Sequence, residues 1–107
     1  MKKIKLTKTL KKKWIKALRS GEYRQGVDKL CFKGEYCCLG VLADITGTLS
    51  TKNRFNGDDG ILVCESGSQE SAVEGLSFFQ QRVLANKNDL GTDFNKIAGY
   101  IEETVHV

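Results

Sequence analysis

The chain has 107 residues, 40% of them hydrophobic, which suffices for one domain with its own core and is too little for two. No run approaches the roughly 18 apolar residues of a membrane span, and the early lysines lead into an amphipathic segment rather than a continuous apolar signal core, so a soluble cytosolic protein with no membrane partner is expected. The formal net charge of +4 hides an asymmetry: residues 1–20 hold nine Lys and Arg and no acid, leaving eight basic against thirteen acidic residues, a balance of −5, in the remainder. Such a split fits either a basic arm for a polyanion or an N-terminal helix attracted to the acidic body of its own chain.

In chain order, Leu10, Trp14, Ala17 and Leu18 recur at i, i+4, i+7 and i+8 and define one face of a first helix, with Lys11, Lys12, Lys13 and Lys16 over much of the rest. Ser20-Gly21 stops it, and a polar loop runs from Glu22 to Gly26. From Lys29 to Cys37 the order reads as two short strands around a Lys33-Gly34 turn, a hairpin near 29–37. Cys38, Val41, Leu42 and Ile45 then mark a second helix ended by Gly47, and Gly40 inside it implies close packing against another backbone. Asn56 to Gly60 is a turn in which Asp58-Asp59 needs no further role, and Ile61 to Cys64 is a short buried strand, the strand near 61–64. Residues 65–75 read as a mobile polar loop. Ser77 and Gln80 form a capping box opening a helix to about Ala85. Thr92 caps a last helix with Phe94, Ile97, Ala98 and Ile101 inward. The expected fold is α+β, a single domain over 1–107 with about four short helices packed with a small antiparallel sheet.

Cys31, Cys37, Cys38 and Cys64 are separated by five, zero and twenty-five residues, which does not suit a zinc site, and the expectation is reduced thiols with no metal and no cofactor. Cys37, at a helix start where unpaired N–H groups favour a thiolate, is the candidate nucleophile of a cysteine-dependent enzyme, with Gln25 as a candidate oxyanion donor. Against that, the only histidine is His106, one residue from the end, and buried free cysteine is a common core residue. The balance favours packing.

Tyr23, Arg24 and Gln25 combine a stacking face, a guanidinium and a two-way amide in a glycine-bounded loop, and with Arg19 they form the candidate ligand-binding set for a host protein or a small anionic, nucleotide-like ligand. The alternative is that Tyr23 packs on Trp14 while Gln25 satisfies loop carbonyls. Asn86 to Asp89 read as turn and capping groups, and Asp89 with Asp93 lacks the further oxygen ligands a calcium loop needs. Lys8, Lys11, Lys12, Lys13 and Lys16 are the residues through which a nucleic acid would be held. The apolar face carrying Trp14 would serve a homo-oligomer interface as readily as a core.

Three segments, Trp14 to Gly26, Tyr36 to Leu42, and Asn88 to Gly91 running into Phe94, Ile97, Ala98 and Ile101, resemble a family of small, mostly uncharacterised proteins of tailed bacteriophages and their prophages. Similar sequences usually carry another cysteine where this chain has Ala43 before Asp44, and an apolar residue where it has Lys87, and the missing thiol weighs against thiol chemistry. The resemblance implies a phage accessory protein in the cytoplasm of a host cell, for which counter-defence is a natural role, and brings no biochemical activity with it.

Overall fold

The computed structural model describes residues 4–26, 31–47 and 71–107. The expected turn at 56–60, the strand near 61–64 and the 65–70 part of the polar loop lie outside the described residues. Among the described residues, four helices and five two-residue strands make an α+β fold, as the hydrophobic pattern predicts.

Helix α1 (Lys8–Arg19) begins where the Thr7 side chain accepts a hydrogen bond from the Leu10 N–H. It buries Trp14, Ile15 and Leu18, with Leu10 and Ala17 half-buried beside them. It ends at Ser20, and Gly21 takes the left-handed conformation (φ +77°) that a side chain would oppose. Helix α2 (Cys38–Ile45) is the centre of the molecule, buried continuously from Cys38 to Ala43. The fully buried indole of Trp14 donates to the Cys38 carbonyl at 2.9 Å, so α1 and α2 share a directed bond as well as apolar surface.

Helix α3 (Phe78–Asp89) opens on the predicted capping box between Ser77 and Gln80. It continues past Ala85, because its inward stripe is Gln81, Leu84, Ala85 and Asn88, with a polar residue at each end. Helix α4 (Phe94–Thr104) is capped by Asp93, which accepts from the Lys96 N–H at 2.9 Å, one residue beyond the expected Thr92. It buries Phe94, Ile97, Ala98 and Ile101 and packs mainly on α1. The Lys11 ammonium of α1 donates to the carbonyls of Val105 and Glu102, which helix geometry leaves unpaired at the end of α4, and Arg19 reaches the Glu102 carboxylate at 3.5 Å. Part of the basic excess is thus spent on the chain's own acidic helix.

The expected antiparallel sheet needs correction. Strands β3 (Cys31–Phe32) and β4 (Glu35–Tyr36) do form an antiparallel hairpin, around Lys33 (φ +52°) and Gly34 (φ +81°). Strand β2 (Arg24–Gln25), expected to be loop, adds to β4 in parallel, pairing Gln25 with Tyr36. Strand β1 (Ile4–Lys5) forms a separate parallel pair with β5 (Val73–Glu74). Parallel partners cannot be joined by a tight turn: the connection from β1 to β5 contains α1 and α2, whereas that from β2 to β4 contains the hairpin strand β3. Residues 71–75, expected within a mobile loop, are instead tied down: Ala72 and Val73 are buried, and the Ser71 hydroxyl accepts from the fully buried Gln81 amide at 2.7 Å and donates to the Leu76 carbonyl at 2.6 Å.

Candidate functional site

The first glycine-bounded loop, the double cysteine and the end of α3 converge on Asn88, which is fully buried. Its Oδ1 accepts from the Gln25 side-chain amide at 3.0 Å and from the Cys38 backbone N–H at 3.2 Å, while its Nδ2 donates to the Gly26 carbonyl at 2.7 Å. Gln25 donates its second amide hydrogen to the Thr92 carbonyl at 2.7 Å. Asn88 therefore caps α2 and closes the loop onto α3, while Gln25 ties the same loop to the turn into α4. Gly26 donates its N–H to Tyr36 at 2.8 Å and lies so close to β4 that a Cβ there would meet the Glu35 Cβ at 2.7 Å. The glycine is required by this approach.

Cys37 is the N-cap of α2, its sulfur accepting from the Gly40 N–H at 3.4 Å. The positive end of the helix is met by this sulfur and by Asn88, both neutral acceptors. The expected acidification is overridden: with 2% of its surface exposed, burial pushes the thiol up to about 11 against the smaller opposing effect of backbone N–H groups. Cys38 is fully buried, its thiol pushed up by desolvation and then by Cys37, and it donates to the Leu84 carbonyl at 3.6 Å. Both thiols are free cysteines that pack and cap. His106 is exposed beyond the end of α4.

The candidate binding set is not brought together as one cluster. Gln25 is turned inward with both amide hydrogens engaged, which removes it as an oxyanion or ligand donor. Tyr23 donates its hydroxyl to Asp44 at 2.6 Å and sets its ring edge-on to Tyr36, 5.0 Å between centroids. That bond offsets the unfavourable placement of a carboxylate in the last turn of α2. Arg24 is exposed, opposite Glu35 in the parallel register and on the other side of the strand from Gln25. Arg19 is drawn to α4 by Glu102.

The Tyr23–Asp44 bond has a pH signature. It, and then burial, raise the phenol to about 12 from an ordinary value near 10. A raised folded-state value means that the folded protein holds the proton while the unfolded chain loses it, so stability is complete below pH ~10 and is lost as pH climbs towards 12. Cys37 adds a similar loss from about pH 9 to 11. Urea midpoints measured between pH 8 and 12 are expected to fall across this range, and Tyr23→Phe is expected to remove the uppermost part of the fall. An unchanged slope in that variant would mean the phenol is not held in the neutral form.

Among the described residues no group of three His, Cys, Asp or Glu is placed to hold a metal, Asp93 being used as a helix cap. No buried side-chain N or O there lacks a hydrogen-bond partner. Lys8, Lys12, Lys13 and Lys16 are exposed, whereas Lys11 is half-buried on α4. No described helix is long and apolar enough to cross a membrane. The sequence pattern did not anticipate the exposed Phe79, 74% accessible, at the rim of a groove of about 90 Å³ between α3 and α4, or Leu90, 86% accessible.

Residues 6–57, a little under half of the chain, match the model of a family described as a domain of unknown function (DUF8296). This match spans α1, the pinned loop, the hairpin and the double-cysteine helix. No curated protein and no solved structure matches the chain.

Proposed function

We propose that the chain is a non-enzymatic, phage-encoded accessory protein of the host cytoplasm that binds a host protein or a small anionic ligand such as a nucleotide signal, in a counter-defence role. The observation that carries the binding reading is the anchoring of the 22–26 loop: Gln25 and Gly26 are fixed to a buried Asn88, so the exposed Arg24 guanidinium is presented from a pre-organised strand. A guanidinium suits bidentate recognition of a phosphate or carboxylate, and fixing the backbone that carries it lowers part of the entropic cost of binding. The burial of Cys37 and the raised position of its thiol favour binding over nucleophilic catalysis.

The test is native mass spectrometry of the tagged protein and its Arg24→Glu variant recovered from infected host cells. A ligand or host protein carried by the wild type is expected to fall at least about tenfold in the variant, the loss of one charge-assisted contact being worth 1.4 kcal/mol or more. Identical retained species in both, with unchanged circular dichroism, would place the binding surface elsewhere.

A further inference from the structure

The exposed face of α1 carries a charge pattern that the fold does not use. Taken at 100° per residue, Lys8, Arg19, Lys12, Lys16 and Lys13 occupy one continuous arc, opposite the buried Trp14 and Leu18. Lys8, Lys12 and Lys16 follow one another at i, i+4 and i+8, about 12 Å end to end at 1.5 Å per residue. Like charges at that spacing repel and destabilise a helix, and Lys8, Lys11 and Lys12 also crowd the positive end of its dipole. The helix has no acidic residue in its first turn, nor one anywhere in its sequence, to relieve this. The structure relieves it only in part: Lys11 and Arg19 are taken up by α4, whereas Lys8, Lys12, Lys13 and Lys16 are exposed and among the described residues make no ion pair or hydrogen bond.

We infer that this ridge is a docking surface for the phosphate backbone of a duplex nucleic acid, bound without regard to sequence and separately from the Arg24 surface. An anion held there would replace the repulsion with attraction, a compensation that the described residues do not supply. The composition of the arc chooses among anionic partners. It holds lysine, threonine and one committed arginine and no apolar or aromatic side chain, so it lacks the aromatic anchors of protein interfaces and the stacking platforms of single-strand binders. Lysine ammonium groups along a straight ridge match rows of phosphates, contacts that position a protein and carry no base information.

The experiment is fluorescence anisotropy of labelled DNA and RNA duplexes of about 20 base pairs and arbitrary sequence, titrated with the full chain between 50 and 200 mM salt. Neutralising four phosphates predicts a slope of log K against log salt near −3.6, a fall in affinity of about 150-fold over that range. Binding of either duplex supports the ridge, and the tighter of the two names the source. Lys12→Glu is expected to weaken binding at least about tenfold, yet to raise Tm by ~2–4 °C, because it converts two repulsive i, i+4 pairs into attractive ones. Opposite signs in the two readouts separate loss of the surface from loss of the fold. No binding at 50 mM salt, a slope unchanged by Lys12→Glu, or a fall in Tm would each overturn the inference. Tighter binding of a polyglutamate peptide than of either duplex would also overturn it, in favour of an acidic protein partner.

Discussion

Asn88→Ala is expected to cost about 3–5 kcal/mol of stability, a large part of what a domain of this size possesses. The loss is not one of apolar volume. Truncation removes the acceptor for the Cys38 N–H and for Gln25 and the donor to the Gly26 carbonyl, in a place that is wholly buried. Each buried group left without a partner costs ~1–3 kcal/mol, so the first turn of α2 and the end of the loop should loosen together. Urea denaturation followed by circular dichroism should show the fall directly, with Tm lower by about 15 °C or more. Asn88→Asp makes the test sharper. The aspartate keeps an acceptor for Cys38 but, ionised, faces the Gly26 carbonyl without a proton to give it. Burial would raise its folded-state value above that of the unfolded chain, so this variant should regain stability as pH falls towards 4, where the protonated acid can donate, and lose it as pH rises. A fully stable Asn88→Ala variant at pH 7 would refute the role assigned to this residue.

The second large effect concerns the double cysteine. A solvent-exposed thiol at a helix start would be alkylated faster than an ordinary thiol at mildly acidic pH. Here burial pushes Cys37 up to about 11, leaving thiolate on the order of one part in 10⁴ at pH 7, and Cys38 is more deeply buried still. Reaction further requires an opening of α2, whose core position places it at the stable end of local unfolding. Labelling of both residues is therefore expected to be on the order of 10³-fold slower than that of an unstructured peptide thiol, and to rise steeply in urea.

Sequence periodicity made the helical parts of this fold legible, and it failed where polar residues stand in apolar positions. The face of α1, the Ser77–Gln80 capping box and the stripe of α4 all follow from spacing, because there the buried residues are hydrophobic or the cap is local. Helix α3 looked shorter than it is because Asn88 continues its buried stripe as an amide, and a pattern of hydrophobicity has no symbol for that. The signal was present in the i, i+3, i+4, i+7 spacing of Gln81, Leu84, Ala85 and Asn88. Two-residue parallel strands are still harder to foresee, since β1 and β5 are 68 residues apart and have no turn between them to announce the pairing. Gln25 was legible as a residue of consequence but not in its role. Its chemistry fits ligand recognition and internal bonding equally well, and only the position of Asn88 and Thr92 decides for the second. The acidifying influence expected at Cys37 was real in kind and smaller than the desolvation opposing it.

The central claim is that the Cys37–Cys38 segment is a structural hub, closed by Asn88, rather than a reactive site. Peptide-resolved mass spectrometry of iodoacetamide labelling at pH 6 to 8, on the wild type and on Asn88→Ala, tests it most directly. Slow labelling of Cys37 and Cys38 in the wild type, accelerated when Asn88 is truncated, is the predicted result. Rapid labelling of Cys37 in the folded wild type at pH 6, unaffected by loss of Asn88, would contradict it and return the segment to chemistry.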